Sequence, residues 1–222
     1  LALEKLDRTD LDKVRHYIIR IQESGKMLLD LLNDLLDLSK LESGRMVYQH
    51  TSVNLATIVR AVTTELDPLL KAKRLTFTFQ PPDIPTLVQG DELRLAQVVR
   101  NLLSNAIKFT MDGTEVRITL AAATLPSERE EAPQNPTSAI ALTITDQGIG
   151  FPPEEAEVIF DKFVQSSKSK NRAGGTGLGL AICKEIITAH QGQIRAENRP
   201  DGGAAFTVVL PLDCRSLKQE AA

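Results

Sequence analysis

In NLLSNAIKF, residues 101–109, Asn101, Asn105 and Lys108 recur at i, i+4 and i+7, which puts them on one face of a helix. An amide oxygen can ligate a hard cation, and a lysine ammonium can neutralise phosphate. Two such oxygens and one ammonium pointing the same way suit a magnesium–triphosphate. The competing reading is a pair of solvated asparagines. It is weakened by Leu102, Leu103, Ala106, Ile107 and Phe109, which crowd the same segment with apolar side chains.

Two further runs carry chemistry. DQGIGF, residues 146–151, follows the apolar stretch AIALTIT. An acid at the end of a buried strand can accept a hydrogen bond from an exocyclic amine such as adenine presents. Gly148 and Gly150 let a flat ring approach the backbone. Taken alone, the run reads more readily as an ordinary strand-ending turn. GGTGLGL, residues 174–180, places Gly174, Gly175, Gly177 and Gly179 before the helical pattern Leu178, Ala181, Ile182, Ile186. Bare N–H groups at a helix N-terminus attract anions, although glycines alone do not identify the anion. Between these runs, FDKFVQSSKSKNRAGG is polar, basic and without regular pattern. It reads as a flexible lid anchored by Phe160 and Phe163. Lys168, Lys170 and Arg172 either reach phosphates or keep the loop soluble.

A scaffold must hold these residues. From about Arg45, RMVYQHTSV reads as a strand and 54–72 as a helix. RLTFTFQ and TLVQGD read as short strands, and 91–109 as a helix. TEVRITLAAAT and AIALTITD read as strands joined by the Pro/Glu/Ser-rich LPSEREEAPQNPTS, a surface loop by composition. A short helix near 153–160, a helix to about His190 and the strands GQIRAEN and AAFTVVLP complete the pattern. Helices in blocks between antiparallel-looking hairpins argue for an α+β sandwich, with one sheet and helices on one face.

Ahead of it, residues 10–43 read as one long helix. Leu11, Val14, Ile18, Ile21, Gly25, Leu28, Leu32 and Leu35 form a heptad seam. Tyr17, Ile19, Leu29, Leu31 and Leu36 widen it to the face of a four-helix bundle. Asp10 reads as its N-cap and Gly44 as its stop, with LALEKLD the tail of a preceding helix. Pairing with a second copy covers the face most economically; packing against the chain's own globular part is the alternative.

The 222 residues carry a net charge of −3 and no Lys/Arg-rich run, which argues against nucleic-acid binding. Cys183 and Cys214 have no metal-ligand spacing, and Cys183 reads as a small core hydrophobe in a reducing compartment. No apolar run reaches the ~20 residues of a membrane span, so a cytoplasmic piece is expected. The first residue is not methionine, which suggests a fragment whose parent can carry an anchor elsewhere.

The order of the runs resembles the ATP-binding catalytic domain of two-component sensor histidine kinases, in the GHKL superfamily. NLLSNAIKF looks like the N box, DQGIGF the G1 box, FDKF the F box and GTGLGL the G2 box, over about residues 45–212. LLDLLNDLLDLSKLESGRM resembles the second helix of the dimerisation and phosphotransfer domain. The resemblance implies a Bergerat-type ATP-binding α/β sandwich, with a mixed sheet and helices on one face, at 45–222, and a partial helical segment at 1–44. It implies that Asp146 holds the adenine amino group and that Asn105, with Asn101, coordinates magnesium. Lys108 would contact phosphate, and Gly175, Gly177 and Gly179 would form the end of the lid. Gly148, Gly150, Phe160, Phe163, Arg172, Thr176 and Leu178 complete the implied ATP site. The implied activity is transfer of the γ-phosphate to a histidine and relay to a response regulator, by a homodimer joined through the 10–43 helix.

The chain departs from the family at two places. His16, His50 and His190 are its histidines, and none has the family's phosphoacceptor context. The piece is therefore expected to bind ATP without phosphorylating itself. Ala205 also stands where a hydroxyl residue is common, which bears on adenine binding. An ATPase clamp of the same superfamily is disfavoured, because its general base would stand at Asn101, and an amide cannot take a proton from water. A silent, dimerising pseudokinase is the remaining alternative.

Overall fold

The computed structural model describes residues 11–43, 46–126, 137–168 and 175–213. Helix α1, Leu11–Glu42, precedes an α/β sandwich. Its elements run β1 (Thr51–Asn54), α2 (Leu55–Ala72), β2 (Thr76–Phe79), β3 (Leu87–Gly90), α3 (Glu92–Phe109), β4 (Glu115–Leu125), β5 (Thr137–Thr145), α4 (Gly179–Ala189), β6 (Gln193–Asn198) and β7 (Ala204–Pro211). The five-stranded sheet has order β2-β4-β5-β7-β6, and β1 pairs with β3 in a separate two-stranded ribbon. The β2–β4 pair is parallel and the others antiparallel, so the main sheet is mixed.

The sequence dictates the helices by period. In α2, Leu55, Ile58, Val59, Val62, Leu66 and Leu70 are buried. In α3, Leu95, Val98, Val99, Leu102, Leu103, Ala106 and Ile107 are buried. Both stripes follow 3–4 spacing and close onto the inward residues of the sheet, among them Ile118, Ile140, Ile144 and Val208. Asn54 caps α2 by accepting from Ala56 and Thr57 N–H, and Asp91 caps α3 by accepting from Arg94 N–H. At the other end of α3, Lys73 Nζ donates to the carbonyls of Ile107, Lys108 and Thr110 at 2.9, 2.8 and 3.1 Å. An ammonium there satisfies orphan carbonyls and opposes the negative end of the helix dipole.

Two expectations differ from what is observed. Residues 46–50 are not strand; pairing begins at Thr51. Gln49 N–H instead donates to the Asp91 carboxylate at 3.0 Å, and the Tyr48 and His50 rings pack against His190, both centroids at 5.3 Å. Those contacts hold the segment where no ladder does. The expected helix near 153–160 is two separate 3-10 turns, Pro153–Glu155 and Val158–Phe160. Asp10, Gly44 and most of the 125–138 connection lie outside the described residues. No described helix is long and apolar enough to cross a membrane.

Helix α1 leaves much of its apolar face in solvent, Ile21 being 71% exposed. Its C-terminal half touches the sandwich. Leu38 is buried, and Asp37 Oδ2 accepts from Arg94 Nη1 at 2.9 Å and Gln97 Nε2 at 3.0 Å.

Candidate functional site

A cleft of about 230 Å³ opens between α3, the turn after β5 and the start of α4. Asn101, Ser104, Asn105 and Lys108 line it from α3. Their neighbours Leu102, Leu103, Ala106 and Ile107 anchor the opposite side of the helix in the core, which fixes the direction of the polar set.

The four polar residues have different surroundings. Asn101 Nδ2 donates to Gly179 O at 3.2 Å, so this side chain ties α4 to α3 and keeps Oδ1 for another partner. Among the described residues nothing is hydrogen-bonded to the Asn105 amide. Lys108 is half-buried, and burial pulls its ammonium below the usual lysine range. Its Nζ stands 5.1 Å from the Phe109 ring centre and so near Gly175 that a Cβ there would lie 3.0 Å away. A side chain at 175 would press on the ammonium.

Asp146 closes the opposite end. It is only 4% exposed. Oδ1 accepts from Gly148 N–H at 2.7 Å and from Ala204 N–H at 3.3 Å. Among the described residues no donor is bound to Oδ2. Burial pushes the carboxyl above the usual range, against the lowering effect of the two backbone N–H groups and of Arg199. A buried carboxylate oxygen without a donor, at the edge of an apolar cleft, is suited to accept from a ligand amine. Ile149, Gly150, Phe151 and Phe206 supply flat and apolar walls beside it.

The glycine run forms the third side. Gly175, Thr176, Gly177 and Gly179 line the cleft as α4 begins. Gly177 has φ +72°, and a Cβ there would lie 2.8 Å from the Phe163 backbone, so glycine is required. Phe163 N–H donates to Gly177 O at 3.0 Å, and Gln165 Nε2 to Gly175 O at 2.6 Å. These two bonds draw together the ends of the segment between 165 and 175. Thr176 Oγ1 donates to Asp34 Oδ2 of α1 at 2.9 Å and accepts from Leu178 N–H at 3.2 Å.

Nine of the residues singled out from sequence therefore surround one cleft: Asn101, Asn105, Lys108, Asp146, Gly150, Gly175, Thr176, Gly177 and Gly179. Four others do not line it. Gly148 packs behind Asp146, where a Cβ would meet Phe109 O at 2.5 Å. Phe160 and Leu178 are core residues, and Phe163 points to solvent while its backbone holds the glycine run. Arg172, Lys170 and Gly174 lie outside the described residues. Sequence reasoning missed Ser104, Gln165 and Asp34. Ser104 adjoins the helix face already identified; the other two belong to long-range pairings with no local signal.

Two side chains resolve other expectations. The cleft-facing position of β7 is Ala204, with Phe206, rather than Ala205, whose strand partner is Thr145. Alternation along the strand turns Ala205 to the opposite face, so its lack of a hydroxyl does not bear on the cleft. Cys183 is fully buried and its thiol is pushed up to about 12, so it packs as a small hydrophobe.

Comparison with known proteins gives consistent results. The family described as "Histidine kinase-, DNA gyrase B-, and HSP90-like ATPase" matches residues 90–214. Histidine kinase 5 of Arabidopsis thaliana is 39% identical over 224 residues, covering 94% of this chain and 24% of that protein. The chain spans a quarter or less of the curated relatives it matches first. The crystal structure of full-length ShkA in complex with AMPPNP aligns with TM-score 0.70 and 28% identity, over 89% of this chain and 38% of that one. The structure of histidine kinase ThkA in complex with response regulator protein TrrA aligns with TM-score 0.70 and 26% identity, over 94% and 53%.

Proposed function

The chain belongs to the histidine kinase-, DNA gyrase B-, and HSP90-like ATPase family, and we propose that it is the ATP-binding kinase core of a two-component sensor histidine kinase. One observation carries the reading: Asn105, Lys108, Asp146 and the glycine run converge on a single cleft. Asp146 Oδ2 accepts from the adenine amino group. Guanine presents a carbonyl there, lone pair against lone pair, and is rejected. The ring lies against Ile149, Gly150 and Phe206. Lys108 neutralises phosphate, and the N–H groups of Gly175, Gly177 and Gly179, at the start of α4, cradle it.

The cleft fits a magnesium–nucleotide rather than a free metal. Among the described residues no group of three His, Cys, Asp or Glu could hold an ion by itself. Asn105 Oδ1, with Asn101 Oδ1, would hold magnesium together with the phosphates. The ion would neutralise charge on the transferring phosphoryl group. Kinase is favoured over clamp ATPase because Asn101 is no base, and its N–H is bound to Gly179 O.

Residues 1–44 are read as part of the dimerisation and phosphotransfer domain, and 45–222 as the catalytic domain. The γ-phosphate passes to a histidine presented elsewhere and then to a response regulator receiver domain. The likeness to ThkA, solved with a response regulator, supports that partner.

Calorimetric titration with ATP, with and without magnesium, tests the site. The unmutated chain is expected to bind only with magnesium, and Asn105→Ala to lose that binding while keeping its circular dichroism spectrum. Unchanged Mg-ATP affinity in Asn105→Ala would remove the metal assignment.

A further inference from the structure

We propose that Asn198 is a positioning residue that sets the base-binding wall of the cleft. The inference rests on the adenine reading of Asp146. Ile149, Gly150 and Phe151 line that wall. They lie between β5 and the first 3-10 turn, in backbone with no ladder of its own. Something outside the segment must hold it. Asn198, the last residue of β6, gives both halves of its amide to one residue. Its Oδ1 accepts from Phe151 N–H at 3.0 Å, and its Nδ2 donates to Phe151 O at 2.7 Å. A side chain that satisfies both backbone groups of one residue acts as a strand partner and fixes the position and tilt of that peptide.

Gly150 is fitted to the same amide. Its φ is +59°, and a Cβ there would lie 2.5 Å from Asn198 Oδ1. The other end of the segment is held by the next residue of the same corner. Arg199 Nη1 donates to Asp146 O at 3.0 Å. The β6–β7 corner thus grips the segment at Asp146 and at Phe151. Phe151 in turn packs on the cleft-lining Phe206, with ring centres 6.3 Å apart. Asn198 is itself an exposed residue on the edge strand and adds nothing to the core. Its truncation is therefore expected to leave the fold intact and free the wall. A loosened wall costs affinity for the base, which must lie flat on Gly150 with its amine at Asp146 Oδ2. It costs nothing at the phosphate end, which α3 and α4 build.

The test titrates Mg-ATP and Mg-GTP into the full chain, Asn198→Ala and the same-strand control Glu197→Ala, with a thermal melt of each. Asn198→Ala is expected to lose about tenfold in ATP affinity, the order expected when two ordinary hydrogen bonds are removed. Its GTP affinity should match that of Glu197→Ala, and its Tm should fall only by the few degrees that two lost hydrogen bonds cost, so the ATP-over-GTP ratio falls by the same factor as the ATP affinity. Full retention of the ATP preference by Asn198→Ala overturns the proposal. Parallel weakening of both nucleotides also overturns it, because Asn198 would then only stabilise the corner. An unmutated chain that binds ATP and GTP alike removes the adenine reading and this inference with it.

Discussion

Asp146 is held in a state that folding disfavours. Its pKa is raised by burial, so in the folded chain the charged form is destabilised relative to the unfolded chain. A raised carboxyl contributes stability below its unfolded pKa and loses it as pH rises through the folded value. At neutral pH the ionised group is therefore a net cost. Asn fits the same place: its Oδ1 can keep the bonds from Gly148 and Ala204 N–H. Asp146→Asn is expected to raise Tm at pH 7 by a few degrees and to erode the preference for ATP over GTP. A lowered Tm with intact selectivity would contradict both halves of the argument. The place of Asp146 at the cleft was legible only from the order of the three runs, since an acid after an apolar strand is, taken alone, more readily a strand-ending turn. Asn198 was not, since an asparagine ahead of a glycine turn looks like any corner residue until Phe151, 47 positions away, lies beside it. Phe163 carried the opposite error: an aromatic beside a lid suggests an anchor, yet its ring points to solvent and its peptide makes the contact.

At the scale of elements, α3 is the organising piece, and its N-terminus depends on a neutral histidine. His190, at the end of α4, is buried. Its Nε2 accepts from Asp91 N–H at 2.9 Å, which leaves the ring proton on Nδ1 to donate to Ile186 O at 2.7 Å. Burial lowers its pKa; the Ile186 bond opposes that, His50 adds to it, and Asp91 opposes it. A second proton would displace the Asp91 bond and place a charge in the core. With the folded pKa depressed, the stabilisation is complete above the unfolded value of about 6.5 and is lost as pH falls through the folded value. Urea unfolding is expected to show stability level above that pH and declining below it. His190→Gln should flatten the slope. An acid-side slope that His190→Gln leaves unchanged would refute the assignment. Helices α2, α3 and α4 were legible because apolar spacing of 3–4 is a local signal that burial reinforces. The 46–50 segment was misread as strand because Val47 and Tyr48 are strand-favouring types just ahead of β1, whereas its partners are the Asp91 carboxylate and the His190 ring. The separate β1–β3 ribbon and the parallel β2–β4 pair were equally invisible, since strand pairing is a property of sequence-distant segments.

For the whole molecule, the proposed kinase reading turns on where an acceptor histidine can stand. Helix α1 carries an apolar face that nothing among the described residues covers, with Tyr17, Ile18, Ile21 and Leu28 all more than half exposed. Such a face is expected to be buried against a second copy, and light scattering should give a dimer mass. The C-terminal half of the same helix rests on the sandwich through Leu38, Asp37 and the Asp34–Thr176 bond. The cleft and helix α1 are therefore in contact through Thr176. Neither His16 on α1 nor His190 in the core has an acid beside it in sequence, and His50 packs against His190. In-line transfer needs the acceptor nitrogen about 3–3.5 Å from the γ-phosphorus, and the buried His190 cannot offer that. Incubated with ATP and magnesium, the chain alone is expected to keep its mass. Given a separate helix pair carrying an acceptor histidine next to an acid, it should transfer phosphate in trans, as an acid-labile, base-stable adduct on that partner. Failure to transfer despite tight Mg-ATP binding would favour the silent, dimerising module over the kinase. Stoichiometric phosphate on His16, His50 or His190 of the chain itself would instead make that histidine the acceptor, and the separation of cleft and acceptor would no longer hold.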